Sequence, residues 1–78
     1  MARLLLLGPA HEAAGVRNDV LDGLTVDAVL RAAVTRYGTK FEEILGVSQV
    51  WLNGEPAERD AVVEPYDEVA VLPPISGG

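Results

Sequence analysis

The sequence contains no cysteine. Disulfides, thiolate metal sites and cysteine nucleophiles are therefore excluded together. Basic residues are scarce as well, with 6 Lys and Arg against 12 Asp and Glu and a single His, for a formal net charge of -6 at pH 7. That balance is wrong for gripping a phosphate backbone, which needs clustered Lys and Arg, so no nucleic-acid partner is expected. A basic protein surface is the natural partner. Long apolar runs are missing too: Leu4-Leu5-Leu6-Leu7 is cut off by Gly8-Pro9, far short of a signal-peptide core or a membrane span. No membrane association and a cytoplasmic location are expected. The chain also lacks an internal repeat, a low-complexity segment and a linker.

What is present is enough for one small domain. At 78 residues a single core supplies about 3 to 5 kcal/mol of net stability and leaves no room for a large cleft. Hydrophobic residues make up 49% and charged residues 23% of the sequence, a balance that lets such a chain fold alone.

The pattern along the chain predicts α+β order. Ala2 to Leu7 reads as a buried first strand ended by Gly8-Pro9. Residues 9–14 fit a helical turn closed by Gly15, and Val16 to Leu21 a second strand before a turn at Asp22-Gly23. From Thr25 the period changes, and Val26, Val29, Leu30, Ala33, Val34 and Tyr37 form the stripe of an amphipathic helix. Thr25 is placed to cap it, Asp27 sits in its first turn, Arg36 lies near its end and Gly38 follows it. Phe41, Ile44 and Leu45 suggest a second short helical segment ended by Gly46. Val47 to Asn53 returns to strand, Asn53-Gly54 signals a tight hairpin, and Pro56 limits the return strand to a short edge. After a turn over Val63 to Tyr66, Glu68 to Leu72 forms the last strand. A central helix covering one face of a mixed sheet of about five strands, with the first and last strands parallel neighbours, is a β-grasp.

No catalytic constellation emerges. Glu42-Glu43 and Asp67-Glu68 are adjacent in sequence and point apart on a helix or a strand, so they read as solvated faces rather than a metal or acid/base site. Tyr37 and Tyr66 read as core or turn residues. There is no Gly-rich phosphate loop and no Ser/His/Asp arrangement.

The chemistry points to the end of the sequence, Leu72-Pro73-Pro74-Ile75-Ser76-Gly77-Gly78. A diglycine gains nothing by packing and costs the most chain entropy, so folding does not explain it. Without Cβ atoms it can thread a narrow slot, and a Gly78 carboxylate can be activated to carry a group. Pro73 and Pro74 fix φ and remove two ladder donors, which stops the strand and starts an extended stalk. Extended, the six residues 73–78 span roughly 20 Å, enough to enter a buried pocket. The expected division is a β-grasp domain over residues 1–72 and an extended tail over 73–78.

The stretch Asp67-Glu68-Val69-Ala70-Val71-Leu72-Pro73-Pro74-Ile75-Ser76-Gly77-Gly78 resembles the C-terminus of the MoaD and ThiS family of ubiquitin-like sulfur carriers. Within that family it is most similar to the molybdopterin synthase small-subunit branch, the one whose tails carry paired prolines. Leu7 to Gly15, Thr25 to Leu30 and Leu52 to Glu55 resemble further family segments in the same order and spacing. His11 departs from the pattern, standing where the family commonly has arginine, and its own context reads as a solvent-facing loop.

The resemblance implies a carrier without catalysis of its own and with no bound cofactor. On an E1-like activating enzyme that consumes ATP, Gly78 is adenylated, and sulfur then replaces AMP to give a thiocarboxylate. A large catalytic subunit receives the tail, with Leu72, Pro73, Pro74, Ile75, Ser76 and Gly77 as its contacts, and sulfur passes to cyclic pyranopterin monophosphate to build the molybdopterin dithiolene. Alternatives are a carrier for thiamine or another sulfur-containing product, a ubiquitin-like modifier joined to a lysine, and a plain interaction domain.

A docking face should lie beside the tail. In the last strand Val69 and Val71 are expected to meet the helix, leaving Leu72, with Ile75 beyond it, as an exposed apolar patch. Trp51 is expected on the sheet face away from the helix, as an interface anchor or as cover for an open face. Glu12, Glu64, Asp67 and Glu68 are candidates for an acidic surface facing basic partners.

Overall fold

The computed structural model describes residues 1–74. The elements are β1 (Ala2–Leu6), α1 (Pro9–Ala14), β2 (Asn18–Leu21), α2 (Val26–Tyr37), α3 (Thr39–Leu45), β3 (Gln49–Leu52), β4 (Glu55–Pro56) and β5 (Glu68–Leu72). The strands form one five-stranded sheet in the order β2-β1-β5-β3-β4. β1 and β5 are parallel, with Leu4 opposite Val69 and Leu6 opposite Val71. The other pairs are antiparallel. This is the β-grasp that the alternating apolar patterns predict.

Strand alternation decides which face is buried. Leu4, Leu6, Val69 and Val71 point to the helix side and join Val26, Val29, Leu30 and Ala33 of α2 in a single core. α3 contributes Phe41 and Leu45, α1 contributes Ala10, and α3 lies against both α1 and α2. Val50 and Leu52 of β3 pack on the same cluster from its margin.

The long helix is held at both ends as its sequence indicates. Thr25 is extended, and its hydroxyl accepts a hydrogen bond from the Ala28 N–H at 3.1 Å, satisfying one of the free amides of the first turn. Asp27 in that turn binds Arg31 at 2.6 Å and Arg59 at 2.9 Å. At the far end Gly38 takes φ 95°, a conformation that side chains disfavour, and its N–H donates to the Val34 carbonyl. The hairpin between β3 and β4 turns on Asn53 and Gly54 at φ 51° and 85°, which is the primed-turn geometry that an Asn-Gly pair favours.

Two strand starts and the setting of His11 differ from the sequence reading. β2 starts at Asn18 rather than Val16, because the chain is still turning after α1: Gly15 is left-handed at φ 80° and its N–H returns to the His11 carbonyl. β3 starts at Gln49 rather than Val47, since the Val47 and Ser48 amides still wind back to the carbonyls of Ile44 and Leu45 at 3.1 Å. His11 is a half-buried residue of α1 and not a solvent-facing loop residue. Proline at the first helical position supplies the helical φ that starts this short turn.

The edge strand β2 is tied to the end of α2. Asp19 accepts hydrogen bonds from Arg36 Nη1 at 2.7 Å, from the Tyr37 hydroxyl, and from the Val20 N–H at 2.8 Å. Tyr37 also packs edge-on against Phe41, with ring centroids 5.2 Å apart. Hydrogen bonds from Tyr37 and Arg36 hold the Asp19 carboxyl below the usual carboxylate range. Burial, with the bond to Asp19, pushes the Tyr37 phenol up to about 12.

Candidate functional site: the base of the C-terminal arm and the open sheet face

β5 delivers the chain to one pole of the domain. Its last ladder contact there is the Leu7 N–H, which donates to the Val71 carbonyl at 3.1 Å. Leu72 lies opposite Gln49 of β3. Pro73 then has no N–H to offer the ladder and the strand ends, with Pro73 and Pro74 both exposed. Gly8 receives the proline: it takes φ 60° and ψ −132°, a region glycine alone enters cheaply. A Cβ added to Gly8 would stand 2.8 Å from Pro73 Cγ. Glycine is needed here for its backbone angle and for the closeness of the proline ring.

The arm's base borders the sheet face that no helix covers. Register places Leu5, Ala70 and Trp51 in one row across β1, β5 and β3, with Pro56 of β4 beside Trp51. None of these four belongs to the helix-side core. Ala70 is nevertheless only 7% exposed, because Leu5 and Trp51 stand on either side of it. Trp51 is half-buried, and its indole N–H donates to Gln49 Oε1 at 3.1 Å. The result is a preformed apolar strip that runs toward Leu72, which is itself half-buried rather than fully exposed as its alternation suggests. Pairing with Gln49 on the neighbouring strand covers part of Leu72.

Polar groups gather at the other end of the strip. Asn53 bridges the hairpin to β5: its N–H donates to the Glu68 carbonyl at 2.8 Å, and its Oδ1 accepts from the Glu68 N–H at 2.9 Å. Asp67 Oδ2 accepts from the Glu64 N–H at 2.8 Å. That amide first, then Asn53, holds the Asp67 carboxyl below the usual range. Asp67 is thus a turn-fixing carboxylate as well as a surface charge. Glu64 and Glu12 are exposed and Glu68 is half-buried. Glu12 lies on α1 and the others around the start of β5, so the four acidic candidates do not form one cluster. Glu42 and Glu43 are exposed on α3. Among the described residues no group of three His, Cys, Asp or Glu could hold a metal ion. Nor, among them, is any helix long and apolar enough to cross a membrane.

Of the predicted site residues, Leu72, Pro73 and Pro74 meet at this pole, whereas Ile75, Ser76, Gly77 and Gly78 lie outside the described residues. Gly8, Leu5 and Ala70 were not predicted as part of the site. Gly8-Pro9 reads locally as a strand terminator, and only the parallel pairing of β1 with β5 brings it to Pro73.

Comparison with known proteins identifies the family and the fold. Residues 4–78 match the ThiS family. The molybdopterin synthase sulfur carrier subunit of Arabidopsis thaliana is 34% identical over 79 residues, covering 97% of this chain and 81% of that protein. The crystal structure of SAMP1, small archaeal modifier protein 1, from Haloferax volcanii superposes with a TM-score of 0.80 at 30% identity, over 99% of this chain and 98% of that one. A subunit in the protein–protein complex of subunits 1 and 2 of the molybdopterin-converting factor from Helicobacter pylori 26695 shares the fold, with a TM-score of 0.72 at 23% identity over 99% and 97% of the two chains. With a ubiquitin-like β-grasp fold and a family match that spans almost its whole length, the chain belongs to the ThiS family of the MoaD and ThiS sulfur carriers.

Proposed function

We propose that this chain is the sulfur carrier subunit of a molybdopterin synthase, with residues 1–72 as the carrier domain and 73–78 as its delivery arm. The observation that carries the reading is the exit of Pro73-Pro74 from β5 beside Gly8, at the pole from which the sequence runs on to Gly77-Gly78. The name of the Arabidopsis relative supports the sulfur chemistry and the existence of a partner subunit.

The chemistry asks little of the folded domain. On a separate E1-like enzyme the Gly78 carboxylate attacks the α-phosphate of ATP, releasing pyrophosphate and leaving an acyl-adenylate. A sulfur donor displaces AMP, and the product is a thiocarboxylate. Its sulfur is a nucleophile at neutral pH, so the carrier needs neither a cysteine nor a general base of its own. In the large subunit the arm presents that sulfur to cyclic pyranopterin monophosphate, and two such donations complete the dithiolene. The domain binds no cofactor. Its part is to dock through the Leu5, Ala70 and Trp51 strip and to hold the arm's base at a fixed angle, while the net charge of -6 favours basic partner surfaces.

A second reading is favoured by the 30% identity to SAMP1: Gly78 forms an amide with a lysine of a target protein. Reconstitution separates the two. The carrier, its activating enzyme, a sulfur donor, ATP, the large subunit and the pyranopterin precursor should yield the dithiolene. Lysine conjugates formed in its place would favour the modifier. A strain lacking the gene should lose molybdenum cofactor; loss of thiamine instead would assign the sulfur to the other branch.

A further inference from the structure

The pole opposite Pro73 carries an apolar cluster that neither the core nor the carrier chemistry uses. Met1, Leu24, Val62 and Tyr66 are 62, 81, 66 and 79% exposed. Backbone contacts gather them: the Tyr66 N–H donates to the Met1 carbonyl and the Val63 N–H to the Leu24 carbonyl, both at 2.9 Å, while Val62 bridges Thr25. Beside Tyr66 lies a depression of about 310 Å³, lined by Met1, Leu24, Val63 and Pro65 together with Asp22 and Glu64.

Tyr66 is the informative residue. It takes φ 72°, where glycine or asparagine fits and a bulky side chain is strained. Its ring is left in water, and among the described residues its hydroxyl makes no hydrogen bond. The fold uses only its backbone: the N–H meets Met1, and the carbonyl accepts from Arg3 Nε at 3.1 Å. Any residue other than proline would supply those groups. Folding therefore disfavours a tyrosine here twice over, by backbone angle and by solvent exposure, so its presence points outside the molecule.

We propose that this pole is a docking surface for a second protein, with the Tyr66 ring as anchor, in a partner pocket that is apolar at its centre and bordered by Lys or Arg. Tyrosine is among the residues that dominate interface energetics when its ring is desolvated in a pocket. Asp22 and Glu64 line the depression and Asp67 adjoins them, and these three carboxylates outnumber the two positive groups at this pole, the Met1 ammonium and the Arg3 guanidinium held on the Tyr66 carbonyl, which selects a basic rim on the partner. The same charges set two copies of this chain against each other. β5 separates the surface from Pro73 by its five residues, about 16 Å of strand. A protein bound here would leave the arm free to enter another active site. The inference does not depend on the sulfur-carrier reading.

The test places the photocrosslinker p-benzoylphenylalanine at Leu24 of the full-length chain, in its native cells, with Glu43 on α3 as the control position. Light should yield a discrete adduct from position 24 and none from 43, and the crosslinked partner peptide should carry Lys or Arg beside apolar residues. Tyr66→Gly and the double change Asp22→Lys with Glu64→Lys should each cut the yield at least tenfold, while Tyr66→Gly leaves Tm unchanged or raises it. The proposal is overturned by the absence of an adduct at 24, by an adduct that survives either change, by an adduct with a second copy of this chain, or by a Tyr66→Gly protein whose Tm falls.

Discussion

Gly8 and Pro73, at the ends of two parallel strands that are neighbours in the sheet, lie so close that a Cβ on Gly8 would stand 2.8 Å from Pro73 Cγ. The backbone angle of Gly8 and the closeness of the Pro73 ring together leave no room for a side chain at position 8. Gly8→Ala should therefore do two separable things. Forcing a side chain into φ 60° should cost about 1 to 3 kcal/mol, read as a lower Tm. The methyl group should also push the proline ring aside and raise the KM of the activating enzyme for the carrier. Adding Pro73→Ala should restore KM while leaving the Tm loss in place. A Gly8→Ala carrier with normal KM would show that the contact does not aim the arm.

The Asp19 cluster gives stability a defined pH dependence. Its carboxyl pKa is lowered by Tyr37 and Arg36, so the stabilisation is present above the ordinary aspartate pKa and is lost as pH falls through the lower folded value. For Tyr37 the sign is reversed. Its pKa rises from 10.0 to about 12, so this contribution is complete below pH 10 and lost as pH climbs through the folded value. Asp19→Asn should remove about 1 kcal/mol near neutrality and flatten the acid limb of a Tm-against-pH curve, while the alkaline limb, set first by burial of Tyr37, is only reduced. An unchanged curve would mean that the β2 edge is not held through Asp19.

Trp51 separates docking from folding. It lies outside the helix-side core, so Trp51→Ala should leave a cooperative unfolding transition with a modest fall in Tm. If the open face is the docking strip, the same change should weaken affinity for the large subunit by about 2 kcal/mol or more, measured by calorimetry. Ala70→Glu, beside it in register, should weaken the same affinity by placing an unpaired charge in the strip, and because Ala70 is buried between Leu5 and Trp51 it should also lower Tm more than Trp51→Ala does. Affinity unchanged in both variants would move the interface elsewhere.

Most of the fold was legible because local chemistry and tertiary need agree. The stripe from Val26 to Tyr37 faces the core, with Thr25 and Gly38 at its ends, and Asn53-Gly54 makes the turn its composition demands. The misplaced starts of β2 and β3 come from amides at Gly15, Val47 and Ser48 that continue to bond backward, a hydrogen-bond choice that apolar periodicity does not register. The site was legible along the chain but not across it. Leu72 to Pro74 stood out by composition, whereas Gly8, Leu5 and Ala70 join them only through strand pairing. Tyr66 lies in the turn that its place before β5 indicates. Its positive φ and its exposure are three-dimensional facts that its place in the sequence does not carry.

Intact mass shows whether Gly78 carries sulfur. Incubated with its activating enzyme, ATP and a sulfur donor, the full-length chain should gain the mass of one oxygen-to-sulfur exchange, localised to the C-terminal peptide. A chain lacking Gly78 should keep the same Tm and gain nothing. A full-length chain that stays unmodified beside a competent enzyme, or a truncated chain that still acquires sulfur, would rule out Gly78 as the sulfur-carrying residue.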